Sequence, residues 1–252
     1  MEWNDDAVVL SARSLGESAL VISALTQAHG RHGGLVRGGS SRRARGMLQP
    51  GSRITCRWRG RTAEQLGSYT CEPVATLGPA VLADAGRLAA VVAACAVLDT
   101  ALPEREPAPA SFAALQELLV AIERDPAWPC AYVGWEVALL ADLGFGLDLT
   151  ACALTGTQAE LAYVSPRTGR AVAAAAAGPW QQRLLALPAF LTDPAAPADE
   201  GDILAGLALT GHFLRRCIYA EHERDMPAAR RRLPLMMARG RPSGAGAVLG
   251  EG

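Results

Sequence analysis

Between Ser52 and Arg59 the chain alternates residue by residue, with Ile54, Cys56 and Trp58 on one side and Arg53, Arg57 and Arg59 on the other. A period of two marks a strand with one buried face, and here the outer face is cationic. Such a strand needs neighbours, and the surrounding sequence offers them. Before it come Ala7-Val8-Val9-Leu10, a turn around Ser14-Leu15-Gly16-Glu17, the run from Ala19 to Leu25, a second turn over His29 to Gly34, and Leu35-Val36-Arg37. After it, Gly60-Arg61 turns into Leu66 to Glu72. Five short strands with glycine-rich turns before residue 80 predict a small barrel.

The same region concentrates charge. Residues 31–61 hold nine arginines (Arg31, Arg37, Arg42, Arg43, Arg45, Arg53, Arg57, Arg59, Arg61) and no Asp or Glu. With 24 arginines in 252 residues, about three would fall there by chance. The chain has no lysine, so the choice of Arg over Lys carries little meaning, but the clustering does. Residues 1–80 carry a net +4 and residues 81–252 a net −5, within an overall charge of −1. The Gly-Gly-Ser-Ser-Arg-Arg-Ala-Arg-Gly segment at 38–46 reads as a flexible, solvated loop. An unpaired positive surface on a small domain is what a polyanion binds.

Beyond Pro79 the period changes to that of helices. Asp84 is placed to cap a helix ending at Leu102, with Leu88, Val91, Cys95, Leu98 and Leu102 on one face, and Pro103 stops it. A second helix starts at Ser111 with Phe112, Leu115, Leu119 and Ile122 inward; a third starts at Pro129 with Tyr132, Trp135, Leu139 and Leu143. These spacings describe a helical bundle. Residues 148–178 break the rhythm, because Leu161 to Val164 and Arg170 to Val172 flank Ser165-Pro166-Arg167-Thr168-Gly169 as a β-hairpin. Helix is expected again at Pro179-Trp180 and, after a Pro/Ala/acidic linker at 193–200, from Ile203 to His222. Residues 241–252, rich in Gly and Pro, are expected to be disordered. The longest apolar run, Leu88 to Leu98, is about half a bilayer crossing, and the acidic start Met-Glu-Trp-Asn-Asp-Asp is unlike a signal peptide. The cytoplasm, with its six cysteines reduced, is the compartment this predicts.

No catalytic grouping stands out. Residues 38–46 lack the lysine of a P-loop, and there is no Gly-x-Ser-x-Gly or His-Glu-x-x-His. His29 and His32 are read as lying in a surface turn, and His212, Cys217 and His222, five apart, do not share a helix face. Cys152-Ala-Leu-Thr155-Gly156 precedes the hairpin where a zinc ribbon would have Cys-x-x-Cys, but it supplies one ligand of the four that structural zinc requires. No metal or cofactor is therefore expected, and the hairpin must be held by Leu161, Tyr163 and Val172 or be mobile. Trp58 should be inside, leaving Tyr69 as the candidate exposed aromatic.

Taken in order, the motifs resemble the bacterial RecO family of recombination mediators. They are Trp3-Asn4-Asp5-Asp6-Ala7-Val8-Val9-Leu10, Leu15-Gly16-Glu17, His29-Gly30-Arg31, Arg37-Gly38-Gly39-Ser40 and Leu48-Gln49-Pro50-Gly51. Leu139 to Phe145, Asp148-Leu149, Cys152 to Gly156 and Tyr163 to Val172 follow. The resemblance implies an α+β chain, with an OB-fold at 1–79 and a helical domain at 80–240 that carries a zinc-ribbon-like insert at 148–178. Here the insert lacks its zinc ligands. It further implies a non-enzymatic, nucleoid-associated protein without cofactors. Such a protein binds single- and double-stranded DNA, anneals strands, and works with RecR and single-strand-binding protein to load RecA in DNA repair. Under that reading Arg31, Arg37, Arg42, Arg43, Arg45, Arg53, Arg57 and Arg59 contact DNA. An adaptor role is the alternative, in which protein contacts dominate. The C-terminal tail of single-strand-binding protein would then meet an apolar pocket beside Arg87, Arg124, Arg183, Arg215 or Arg216.

Overall fold

The first strand organises the N-terminal part of the chain. In the computed structural model, which describes residues 1–39, 41–62, 65–220 and 223–239, β1 spans Glu2–Leu15. It is far longer than its four-residue apolar core because it serves two neighbours. Its first half, Glu2 to Val8, pairs antiparallel with β4 (Arg53–Arg59), and Ala7 to Leu15 pairs with β2 (Ala19–Thr26). A bulge between Val9 and Ser11 bends the strand between them. β3 (Gly30–Arg37) pairs with β2, α1 (Arg42–Met47) follows, and β5 (Ser68–Ala75) joins β4 to β3 to close the barrel in the order β1-β2-β3-β5-β4. Val9, Ile22, Ala24, Val36, Ile54, Cys56 and Trp58 fill it, as period-two alternation requires.

Two expectations change here. The predicted turn at 29–34 is the first half of β3, and His32 is buried there at 4% exposure. Gly33 and Gly34 carry no side chains, so the alternation of this strand left no apolar signature. The predicted flexible loop at 38–46 contains α1, opened by Ser41, whose hydroxyl accepts the Ala44 N–H.

Short α2 (Pro79–Ala83) leads into α3 (Ala85–Ala101), capped by Asp84, which accepts the Gly86 and Arg87 N–H groups. Small residues bury α3 on several sides: Ala90, Val91, Ala93, Ala94, Cys95, Val97 and Leu98 are all in the core. Around it lie α4 (Pro109–Arg124) and α5 (Trp128–Asp142), each with Pro in its first turn. On α4 the core position belongs to Leu118, and Leu119 is half-buried. The same core takes in Val8, Leu10 and Leu25 of the barrel, so barrel and helices share one apolar interior.

The hairpin forms as β6 (Leu161–Val164) and β7 (Ala171–Ala173), followed by α6 (Ala174–Ala177). The helix expected at Pro179 is a 3₁₀ turn, Gly178–Arg183, and β8 (Leu185–Ala186) then adds a third strand beside β6. Cys152, Val172, Ala173 and Ala177 pack together beneath Leu161, Tyr163 and Leu184, so an apolar cluster holds this insert. α7 (Glu200–Phe213) opens with a reciprocal capping box between Asp199 and Asp202 and ends in a π turn, Leu214–Tyr219. His222 and the tail at 241–252 lie outside the described residues. A final helix, α8 (Ala228–Arg239), was not anticipated; it packs along α3. No described helix is long and apolar enough to cross a membrane.

Candidate nucleic-acid interface

β4 turns Arg53, Arg57 and Arg59 outward, as its alternation demands. Its neighbours decide what those charges can do. Glu2 of β1 stands opposite Arg59, and Asp6 and Glu72 flank Thr55 from either side. The Glu2 carboxylate clasps both nearby arginines. Arg59 donates to Oε2 from Nε at 2.9 Å and from Nη2 at 2.8 Å, while Arg57 donates to Oε1. The two guanidinium groups, Arg59 first, hold the Glu2 carboxyl below the usual carboxylate range. These groups are exposed, so the clasp adds little stability, but it occupies the donors.

Arg31 has a different task. Its Nε donates to the Leu102 carbonyl at 2.8 Å, and its Nη1 lies 3.4 Å from Glu104 and 3.8 Å from Asp99. Only 18% of the side chain is exposed. Arg31 therefore ties the barrel to the segment after α3 and is not the unpaired surface cation that clustering suggested. The Arg31 carbonyl accepts the Arg105 N–H at 2.8 Å across the same seam.

Three predicted residues remain without side-chain partners among the described residues: Arg37 at the end of β3, Arg45 on α1 and Arg53 at the start of β4. The side chains of Arg42 and Arg43 lie outside what the structure describes. Arg13 joins the unpartnered set. It is exposed on β1 opposite Val21, and the Ser11-x-Arg13-x-Leu15 alternation beyond the apolar run was the signal for it. Arg53 also faces Arg124 of α4 across a groove of about 310 Å³ floored by Leu77, Leu119 and Val120. The open cations thus lie on β1, β3, α1 and β4, and Arg53 shares its groove with Arg124 of α4.

The aromatic residues are arranged differently from expectation. Trp58 is inside, and its indole N–H donates to the Leu66 carbonyl at 3.2 Å. Tyr69, expected outside, is only 4% exposed, because it stands opposite Trp58 on β5 and shares its inward face. His32 is packed against the Trp58 and Trp3 rings, and burial pushes its pKa down. His29 lies at the barrel end with about a third of its side chain exposed.

In the helical part, several candidate cations are engaged. Arg216 donates to the Pro166 and Arg167 carbonyls at the hairpin tip, beside His212, whose Nε2 lies 3.1 Å from Pro166 O. Arg183 stacks on Trp180. Arg87 donates to the Ile122 carbonyl and sits 5.8 Å from the Trp128 ring centroid, at the rim of a groove with Pro129, Ile203, Leu204 and Met237. Near the hairpin, the Cys152 thiol is pulled down to about 7, chiefly by the Ala173 N–H and then by the Thr155 hydroxyl. Among the described residues no three His, Cys, Asp or Glu side chains gather as a metal site.

A closed five-stranded barrel with open arginines, fused through a buried helix to a helical unit that carries a ribbon-like hairpin, defines a two-part architecture of the OB type. The chain belongs to the Recombination protein O family. The family's N-terminal description matches residues 1–77 and its C-terminal description residues 82–224. A protein of Rhodospirillum centenum named DNA repair protein RecO is 51% identical over 92% of this chain and 93% of its own length. Relatives of the same name from Phenylobacterium zucineum and Rhodospirillum rubrum are 50% and 48% identical, over 91% and 92% of the chain and 95% and 94% of their own lengths.

Proposed function

We propose that this protein is a recombination mediator in DNA repair. It binds single- and double-stranded DNA through the barrel, anneals complementary strands and, together with RecR, helps load RecA onto DNA coated with single-strand-binding protein. It acts on the nucleoid in the cytoplasm and needs no cofactor. The observation that carries this reading is that Arg37 on β3, Arg45 on α1 and Arg53 on β4 are exposed and have no ion pair among the described residues of an OB-type barrel. These side chains would neutralise phosphates and release the cations condensed on the strand, giving binding that weakens steeply with salt and has little sequence preference. Exchanging all three for Ala should weaken single-strand binding and flatten its log–log salt dependence by about 2, at roughly 0.7 per contact. Titration of a labelled oligonucleotide at several salt concentrations reads this; unchanged affinity and slope would remove the assignment.

The groove at Arg87, Trp128, Ile203, Leu204 and Met237 favours an additional role as an adaptor. It is apolar with one cation at its rim, which suits the hydrophobic, acidic tail of single-strand-binding protein. Asp84 and Glu200 also line it and would restrict how the tail's acidic residues approach.

A further inference from the structure

One end of the barrel is closed by a column of flat rings. Trp58 forms its base, backed by Gly67, where φ is +62° and a Cβ would stand 2.4 Å from the indole. Trp3 lies over Trp58 with centroids 5.6 Å apart and planes 14° from parallel. His29 lies over Trp3 at 4.1 Å and 8°. His32 and Tyr69 meet Trp3 edge-on, so the column is wedged from its sides. The outermost ring is also fixed. Asp5 Oδ2 is 2.9 Å from His29 Nδ1 and accepts the Ala28 N–H at 2.9 Å, and the His29 N–H donates to the Thr26 hydroxyl. Asp5 is nearly buried, whereas 36% of the His29 side chain faces solvent.

We propose that the exposed face of His29 is a stacking site for one unpaired nucleobase. The site rests on the reading that the barrel binds nucleic acid, and it supplies what the arginines alone do not, a reason to prefer single strands. One face of the imidazole is covered by Trp3 and the Nδ1 edge by Asp5, which leaves the other face and the outer edge as the surface a base would meet. A base placed there extends an ordered stack of three rings without any side chain having to be immobilised. The contact is tolerant of sequence, because every base has a π-face. The Trp3–Trp58 pair lies between the Glu2–Arg59 and Asn4–Arg57 pairs on the same strands, so the ring column and the arginines clasped by Glu2 occupy one end of the barrel, on opposite faces of the strands. Sequence inspection placed this histidine in a plain turn, because its partners are residues 3 and 5.

The test uses the full chain and three probes: a labelled oligothymidine, the same strand in a duplex, and an abasic strand of equal length. His29→Ala should weaken oligothymidine binding about tenfold, the scale of one stacked base. Its salt slope should not change, since stacking releases no counterions. Duplex and abasic binding should match the parent protein. His29→Phe should retain the parent affinity, while His29→Leu, which covers Trp3 without a π-face, should bind like the Ala variant. A thermal melt accompanies each variant; if His29→Ala is unfolded, the Leu/Phe comparison decides. Equal affinity of the Ala or Leu variant for oligothymidine overturns the site, and so does an equal loss on all three probes. A parent protein that binds none of the probes at low salt overturns the nucleic-acid reading itself, a result distinct from salt-dependent binding that ignores residue 29.

Discussion

Glu2 occupies the donors that a phosphate would need at Arg57 and Arg59. DNA must therefore compete with a carboxylate for that part of β4, while Arg37, Arg45 and Arg53 are open from the start. Glu2→Gln should strengthen single-strand binding several-fold at low salt and steepen the salt dependence by up to about 1.4, the value of two restored phosphate contacts. The same titration series measures both. Only a fall in pH below the ordinary carboxylate range should imitate the variant. The folded-state pKa of Glu2 is lowered, so the clasp is complete above the ordinary carboxylate range and is lost only as pH falls through the lowered value. At this scale the sequence was half legible. Alternation assigned each arginine to the outer face, but Glu2 lies some fifty-five positions away, and only the β1–β4 register brings it opposite. The engagement of Arg31 is hidden for the same reason, since its partners Leu102 and Glu104 lie in the segment after α3.

Among the elements, α8 shows most clearly what local pattern cannot reveal. Its sequence, Ala-Ala-Arg-Arg-Arg-Leu-Pro-Leu-Met-Met-Ala-Arg, consists of strong helix formers interrupted by Pro234. It is anchored where Arg230 reaches into the core. The guanidinium, 2% exposed, meets the Glu136 carboxylate on α5 and donates to the Leu207 carbonyl on α7 at 2.8 Å. Thr210 donates to the same carboxylate. A buried pair like this is costly to break from one side. Arg230→Met should lower stability by about 3–5 kcal/mol, because it leaves a buried carboxylate alone, and Arg230→Met combined with Glu136→Leu should recover most of it. Urea unfolding at neutral pH checks both. α3, α4 and α5 were legible because their apolar stripes recur every three to four residues and their caps are local. The first half of β3 was hidden by its glycines, and α8 is anchored by an ion pair spanning 94 positions.

Across the whole molecule the barrel and helices are not independent bodies. Val8, Leu10 and Leu25 leave the barrel interior to join the helical core, and the Arg31–Glu104 seam runs beside them. Gly30 makes that seam possible. With φ at +66°, it lies so close to the next segment that a Cβ would stand 1.7 Å from the Glu106 carbonyl oxygen. Gly30→Ala should cost at least the roughly 1–3 kcal/mol of a forced left-handed residue. The two halves should still unfold in a single transition, seen alike by barrel tryptophan fluorescence and helical circular dichroism. Separate transitions would show that the shared core does not couple them. The broad plan, a barrel and then helices, was readable from the switch of period after Pro79. The coupling was not, because residues in the apolar run 7–10 look alike whichever core receives them.

The double allegiance of β1 also bears on how the chain matures as it is made. Residues 2–6 find no partner in β2 and must wait for β4, whose last residue is Arg59, and the barrel cannot close before β5 ends at Ala75. Until then Val8, Val9 and Leu10 are carried on a strand with one bare edge, and Leu10 and Leu25 stay uncovered until α3 has left the ribosome. Residues 2–6 are thus made well before the strand that satisfies them, which predicts slow, topology-limited folding and an aggregation-prone barrel until β4, β5 and α3 have been made.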